Sequence, residues 1–268
     1  MTIQANFCKR AEDIRRVWWC PTGPLAFLPI HAAGIYPDGP KLSEHVISSY
    51  TPTLSALLSP QSTNPTAMYQ LLTVALPNEA RLPGTGKELD CVAKWADGFS
   101  LLRLLESEAT QARVSEAMKN SSWVHFACHG SQNGSNPTDS CLSLSGGSKL
   151  SLSEIIKMRL QNPELAFMSA CETATGDATL EDEAVHLAAG MLMAGYKGVI
   201  ATMWTIPDDF AVEVADETYR LLFREYNADS TQAAEALQFA VQKLVADRKA
   251  SGKTLPLFSW LPFIHLGI

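Results

Sequence analysis

The chain has 268 residues, of which 46% are hydrophobic and 18% charged, a balance typical of a globular protein rather than a disordered or fibrous one. Its formal net charge of −7 argues against nucleic acid as the main partner, because nucleic-acid-binding surfaces are basic. The sequence has no run of 18 apolar residues and no apolar secretory core at its N-terminus, so it predicts neither a membrane span nor a signal peptide.

The first part of the chain is poor in strand signals. Arg15–Cys20 is β-prone, a Pro/Gly turn follows, and Leu25–Ile30 is predicted as the second strand of a hairpin. Val46–Tyr50 is a short β-branched run, and the polar, turn-rich Ser59–Thr66 is the best linker candidate. Because residues 1–66 are too few and too strand-poor to fold alone, we predict one domain over residues 1–268, with 1–66 as an appended layer of the same unit.

From Leu71 onwards, strand patterns alternate with helical ones. This alternation predicts an α/β fold with a mostly parallel sheet and helices on both faces. A hairpin is expected around Gly146-Gly147, followed by a helix with a Ser151/Glu154 capping box. Predicted strands cover 71–77, 101–105, 123–128, 165–170, 196–204 and the C-terminal apolar segment; predicted helices cover 87–96, 110–118, 151–160, 181–194, 208–226 and 230–250.

Two of these strands stop at residues able to do chemistry. WVHFACHGS breaks at His129-Gly130, and LAFMSACETATGD stops at Cys171. The separation of 42 positions between His129 and Cys171 is enough for a crossover between two strands of one sheet. Functional groups gather at the carboxyl ends of parallel strands, so the imidazole and the thiol can meet there.

A histidine and a cysteine at neighbouring strand ends suit nucleophilic catalysis. A neutral imidazole can take the thiol proton and then stabilise the thiolate. Attack on an amide carbonyl also needs donors for the oxyanion, and the backbone N–H groups of Gly130 and Cys171 can supply two.

Other interpretations of these residues remain open. Cys128 is expected in the core, on the side of its strand away from the site. His125 is expected to be core or to support the site. A zinc site formed by His125, Cys128, His129 and Cys171 is a less favoured alternative, because structural zinc ligands come in close pairs on turns. His31 and His186 are expected to be packed structural histidines.

FACHG, with SACETATGD 42 residues later, is similar to the CHAT domain family of caspase-like cysteine peptidases, which are related to separases and caspases. The blocks RVWWCPTGPLAFLPIHAAG, DEAVHLAAGMLMAGYKGVIATMWTIPD and FIHLG extend the resemblance over nearly the whole chain, most closely to fungal CHAT domains. It implies a caspase-like three-layer α/β/α sandwich, His129 as general base and Cys171 as nucleophile. It also implies cleavage of a protein substrate after a selected P1 residue, without a cofactor. Fungal CHAT domains usually follow repeats, so a repeat-containing regulatory region or an activating partner is expected.

Three acidic residues are candidates for substrate binding. Asp177 follows the nucleophile, while Asp208 and Asp209 open a helix after Pro207. Helix capping is the simpler explanation for these residues. The position of Asp208 and Asp209 nevertheless resembles the loop where separases recognise a basic P1 side chain with an acid, which implies a basic P1 preference.

The favoured function is therefore a regulated cysteine endopeptidase, and the family suggests a role in signalling, defence or cell death. A catalytically latent caspase-like scaffold is one alternative, and a thiol-dependent acyltransferase or amidohydrolase is another. The six cysteines are scattered without a CxxC pair, which is typical of a reducing compartment and predicts a cytoplasmic or nuclear protein.

Overall fold

The computed structural model describes residues 15–58, 70–78, 82–96, 99–131, 133, 136–169, 183–224, 228–253 and 255–268. Within these ranges, none of the helices is both long enough and apolar enough to cross a membrane.

The described chain contains a large central sheet and a small second sheet. The strands are β1 (Arg15–Trp19), β2 (Val46–Tyr50), β3 (Gln70–Ala75), β4 (Ser100–Leu105), β5 (Trp123–Ala127), β6 (Gly130–Ser131), β7 (Cys141–Ser143), β8 (Lys149–Ser151), β9 (Leu165–Met168), β10 (Gly198–Thr202) and β11 (Phe263–Gly267). The central sheet has the order β1-β2-β11-β10-β9-β5-β3-β4, and β6-β7-β8 form the small sheet. All neighbours in the central sheet are parallel except β10 and β11, which confirms the mostly parallel sheet predicted from the alternation.

Helices cover both faces of the central sheet, and this gives the three-layer α/β/α arrangement. They are α1 (Leu54–Leu58), α2 (Gly84–Trp95), α3 (Gln111–Asn120), α4 (Leu152–Lys157), α5 (Glu183–Met193), α6 (Asp208–Leu222) and α7 (Ala233–Ala250). Strand side chains that point to one face pack with α2, α6 and α7: Leu71, Trp123, Leu165, Phe167, Ile200 and Phe263. Those that point to the other face pack with α3, α4 and α5: Leu72, Val74, Val124, Phe126, Ala166, Met168 and Val199. Because both faces are covered, the strands read as nearly continuous apolar runs.

The connection from β5 to β9 is built as the sequence indicates. It contains the antiparallel β6-β7-β8 sheet, and Gly146 and Gly147 form the β7–β8 turn with positive φ values of 68° and 71°. Helix α4 follows, with the predicted capping box. The Ser151 N–H donates to Glu154 at 2.8 Å, and the Glu154 N–H donates to the Ser151 hydroxyl at 3.3 Å.

The predicted hairpin near the N-terminus is wrong. Leu25 lies in a 3-10 helix, Gly23–Phe27, and a second one follows at Ile30–Ala32. Strand β1 instead pairs in parallel with β2, and Arg15 lies opposite Val46. Pro24 and Pro29 lack backbone N–H groups and fix φ near −65°, so this segment forms turns more readily than a ladder strand.

Candidate active site

The two strands that precede the predicted catalytic residues are neighbours in the central sheet. Strands β5 and β9 are parallel, and Phe126 lies opposite Met168. Their pairing continues one residue further, because the Ser169 N–H donates to the Phe126 carbonyl at 3.2 Å. His129 follows Phe126 by three residues, and Cys171 follows Met168 by three residues. Cys171 itself lies outside the described residues, as does Asp177.

His129 and Gly130 stand where β5 leads into the small sheet. His129 is half-buried, and its carbonyl accepts a hydrogen bond from the Ser143 N–H at 2.8 Å. Gly130 lies opposite Leu142, and the bond from Ser143 to His129 makes this a non-hydrogen-bonded pair of the antiparallel ladder. The Gly130 N–H is therefore not directed at β7, which leaves it suited to the oxyanion-donor role predicted from the sequence.

Cys128 and His125 lie on opposite faces of the sheet. Cys128 packs with Phe126 on the face of α3, α4 and α5, whereas His125 contacts α2 and α6 on the other face. Two ligands on opposite faces of one strand cannot converge on one metal ion, so the geometry argues against the zinc alternative. The described residues contain no group of three or more His, Cys, Asp or Glu side chains that could hold a metal.

His125, on the strand that precedes His129, is the centre of a buried polar network. Its Nε2 lies 3.1 Å from Glu88 Oε1, its Nδ1 lies 3.2 Å from the Tyr219 hydroxyl, and its ring stacks on Phe167. Burial, and then the nearby Glu88 carboxylate, raise the pKa of Tyr219 well above its usual value, so Tyr219 stays protonated and donates to His125 Nδ1. His125 Nε2–H then donates to Glu88. Sequence reasoning missed Glu88 and Tyr219 as its partners.

Asp208 lies at the same edge of the sheet as His129. Helix α6 begins at Asp208 after β10, and α2 begins at Gly84 after β3, so both helix N-termini follow the carboxyl ends of parallel strands. The half-buried Asp208 carboxylate accepts a hydrogen bond from the Gly84 N–H, with 3.0 Å between Oδ2 and N. The carboxylate of Asp208 is thus held by a backbone donor at the start of α2.

Asp209 has a different environment. Its side chain is 59% exposed, and its Oδ2 lies 2.9 Å from Nη2 of Arg248 on α7. Arg248 also contacts Glu213 and lies over the ring of Phe210. Asp209 therefore links α6 to α7, whereas Asp208 links α6 to the N-terminus of α2.

An aromatic pair lies beyond the carboxyl end of β10. The Trp204 indole N–H donates to the Phe258 carbonyl at 2.8 Å, and the two rings meet edge to face at 6.0 Å. Phe258 is 76% exposed, so the pair presents an apolar surface to solvent. This contact is not predictable from the sequence, because the two residues lie 54 positions apart in the chain.

Comparisons with known proteins agree on the fold. The CHAT domain model matches residues 2–268, while no curated protein matches the chain. The chain is similar in structure to RgpB of Porphyromonas gingivalis, solved as a complex of its pro- and mature domains, with a TM-score of 0.60 and 12% identity. That match covers 99% of this chain and 69% of RgpB.

Separase of Saccharomyces cerevisiae is similar too, in two structures of its complex with securin. One has a TM-score of 0.54 at 14% identity and covers 85% of this chain; the other has a TM-score of 0.52 at 14% identity and covers 83%. In both cases the chain spans only 14% of the separase chain. At such identities the likeness shows a shared caspase-like fold and nothing finer.

Proposed function

Because the chain belongs to the CHAT domain family and has a caspase-like fold, we propose that it is a cysteine endopeptidase with Cys171 as nucleophile and His129 as general base. One observation carries the proposal. Strands β5 and β9 are parallel neighbours whose pairing extends to Ser169, two residues before Cys171. This register supports a placement of the thiol beside the half-buried His129.

The chemistry of the proposed site needs no cofactor. His129 takes the Cys171 proton, and the thiolate attacks the carbonyl carbon of the scissile peptide bond. The N–H groups of Gly130 and Cys171 donate to the oxyanion of the tetrahedral intermediate. When this intermediate collapses, the amine leaves with the proton from His129, and the acyl group remains on Cys171 as a thioester. Water then hydrolyses the thioester, with His129 again as base.

We assign recognition of a basic P1 side chain to Asp208 rather than Asp209. Asp208 is half-buried at the carboxyl edge and is fixed by the Gly84 N–H, whereas Asp209 already pairs with Arg248. A positioned carboxylate can bind an arginine guanidinium through two parallel hydrogen bonds, a geometry that selects Arg over apolar side chains. Asp177 remains a further candidate for the same cleft.

Regulation by a partner is part of the proposal. The separase structures are complexes with securin, a protein partner of that enzyme. By analogy, we propose that a repeat-containing region or another protein controls the peptidase, in a signalling, defence or cell-death pathway. The scattered cysteines favour the cytoplasm or nucleus as its location.

Labelling with peptidyl acyloxymethylketones tests the proposal. The wild-type protein should form a covalent adduct with an Arg-P1 probe, detected by mass spectrometry, and an equivalent Leu-P1 probe should react more slowly. Cys171→Ala and His129→Ala should both abolish the adduct, and Asp208→Asn should remove the preference for Arg.

Cys128→Ala is the matched control. Cys128 adjoins His129 in sequence, but it is buried on the face of the central sheet that packs with α3, α4 and α5. This variant should therefore label as the wild type does. Cys91 is a second internal control, because burial and Asp216 raise the pKa of its thiol. Labelling that survives in Cys171→Ala would reject the assigned nucleophile. A folded wild-type protein that forms no adduct would instead favour the latent scaffold.

A further inference from the structure

A cavity of about 890 Å³ lies away from His129, between α7 and the N-terminal part of the chain. One stripe of α7 forms a wall: Ala234, Leu237, Gln238, Val241, Gln242, Val245, Ala246 and Lys249. Residues of the 31–50 segment and of 255–265 form the other walls. The stripe runs from Ala234 to Lys249, so the cavity is roughly 22 Å long at 1.5 Å per helical residue.

Hydrogen bonds join the walls of this cavity. The ring of the half-buried His31 lies 2.8 Å from the Tyr50 hydroxyl through Nδ1 and 2.9 Å from the Leu261 carbonyl through Nε2. Gln238 and Gln242 each donate to the Ser43 carbonyl at 2.8 Å, which ties the segment after His31 to α7. The cavity is therefore a built feature of the fold and not a gap between loosely packed loops.

The lining is mostly apolar and carries a small excess of positive charge. The apolar members are Ala32, Pro37, Ala234, Leu237, Val241, Val245, Ala246, Leu255, Leu257, Trp260, Phe263 and Ile264. The uncharged polar members are His31, Tyr36, Ser43, Ser48, Tyr50, Gln238, Gln242 and His265. The charged members are Lys41, Lys249 and Lys253, with Asp38 and Glu44. Lys249 pairs with Asp38 at 2.7 Å and Lys41 lies 3.6 Å from Glu44, so the formal charge of these members is positive on a chain of net charge −7.

The volume and cross-section of the cavity favour some classes of ligand over others. A volume of 890 Å³ lies within the roughly 300–1,000 Å³ of small-molecule sites. Spread over roughly 22 Å, it leaves a cross-section of about 40 Å², too narrow for a helix about 10 Å across. An extended peptide would place its amide groups against apolar walls, at a cost in desolvation.

We propose that this cavity binds a single-chain amphiphile with an anionic head, of the long-chain carboxylate class. The acyl chain lies along the α7 stripe and replaces water against the apolar walls. The carboxylate lies beside Lys253, which contributes the positive charge that Asp38 and Glu44 do not balance.

The cavity also adjoins the proposed catalytic edge. Leu257 and Trp260 line it, and the same segment contacts the residues after β10: the Pro262 carbonyl accepts from the Met203 N–H at 2.9 Å, and the Phe258 carbonyl accepts from Trp204. A bound chain would therefore order a segment that touches this edge. Any effect on peptidase activity rests on the function proposed above, but binding itself does not.

Titration calorimetry with palmitate, kept below its aggregation concentration, tests the inference. The titration uses the Cys171→Ala full-length chain, so its outcome is independent of catalysis. We expect one saturable site. Val241→Trp, which fills the cavity, should weaken binding by about tenfold or more, equivalent to about 1.4 kcal/mol. Lys253→Glu should weaken it about threefold, and hexadecyltrimethylammonium, which has a chain of the same length but a cationic head, should bind more weakly than palmitate.

Ala250→Trp is the matched control, since Ala250 is an exposed residue of α7 outside the cavity lining. It should bind palmitate as Cys171→Ala alone does. Circular dichroism checks that each variant is folded, and Val245→Phe replaces Val241→Trp if the latter unfolds. Equal affinities of Val241→Trp and Ala250→Trp would overturn the proposal, as would saturable binding of an uncharged apolar peptide that excludes palmitate.

Discussion

Gly84, the first residue of α2, contacts Asp208, the residue proposed to recognise the P1 side chain. Its N–H donates to Asp208, 124 residues further along the chain, and its Cα lies against the Asp208 side chain. A Cβ added at Gly84 would lie 2.6 Å from Asp208 Cβ and 3.0 Å from its Oδ2. The clash involves an atom next to the main chain, so Asp208 itself would have to move.

We therefore expect Gly84→Ala to act on substrate selectivity more than on stability. Alanine favours the helix by about 1 kcal/mol over glycine, but the displaced Asp208 loses its backbone donor. The ratio of kcat/KM for Arg-P1 over Leu-P1 substrates should fall about tenfold, equivalent to about 1.4 kcal/mol. Fluorogenic peptides of matched sequence measure it.

Gly86→Ala is the control in the same helical turn. A Cβ there meets only Pro77, at an ordinary contact distance of 3.8 Å. The selectivity ratio of this variant should equal that of the wild type. If both alanine variants keep the wild-type ratio, Asp208 does not recognise P1 through this geometry.

At the scale of elements, the Glu88–His125–Tyr219 network joins α2, β5 and α6. All three side chains are at most 1% exposed, so the Glu88 carboxylate depends on His125 for its buried partner. Gly84 and Glu88 lie about one turn apart at the start of α2. The network therefore fixes the helix that positions Asp208 as well as the strand that precedes His129.

We expect His125→Leu to destabilise the protein by about 3–5 kcal/mol, because it leaves a carboxylate buried without its partner. The double variant Glu88→Leu/His125→Leu should recover part of this loss, since an apolar pair of similar volume needs no hydrogen bonds. Urea unfolding followed by circular dichroism gives the free energies of unfolding. Strictly additive effects of the two single variants would show that the two side chains do not interact.

Sequence patterns predicted the elements better than their partners. The strands and helices from β3 to β10 are predictable from the sequence, because strands buried on both faces are apolar and the helices between them are amphipathic. The position of His129 at the end of β5 followed from the same pattern. Glu88 was not recognisable as a core residue, because a carboxylate in a helix usually faces solvent and His125 lies 37 residues away. Gly84 and Asp208 are separated by even more of the sequence, 124 positions.

At the scale of the whole molecule, the sheet changes direction between β10 and β11. Strands β11, β2 and β1 run opposite to the other five strands, which are parallel to one another, an arrangement that local sequence cannot encode. Two histidines lie at this end of the sheet, the half-buried His31 and the buried His265. His31 contacts Tyr50 and Leu261, while His265 Nδ1 lies 3.0 Å from the Ser49 hydroxyl and 3.4 Å from Arg16.

These histidines predict a loss of stability in mild acid. Burial lowers the pKa of His31 from 6.5 to about 4, although the Leu261 carbonyl opposes the shift, and burial together with Arg16 lowers the pKa of His265 well below 6.5. Between pH 6.5 and 4, the unfolded chain therefore binds protons that the folded protein does not, so the free energy of unfolding falls as the pH falls. His31 alone should account for about 3 kcal/mol across this window, and its contribution to stability is complete above pH 6.5.

Urea unfolding at several values between pH 7 and 4.5 measures this dependence. His31→Gln should lower the free energy of unfolding at pH 7, because it loses the contacts with Tyr50 and Leu261. It should also make the free energy of unfolding depend less steeply on pH, by about 1.4 kcal/mol per pH unit at most. His45→Gln alters an exposed histidine near β2 and should keep the wild-type slope. Slopes that coincide in all three proteins would mean that His31 has the same pKa in the folded protein as in the unfolded chain. Burial would then not keep the His31 imidazole neutral in mild acid.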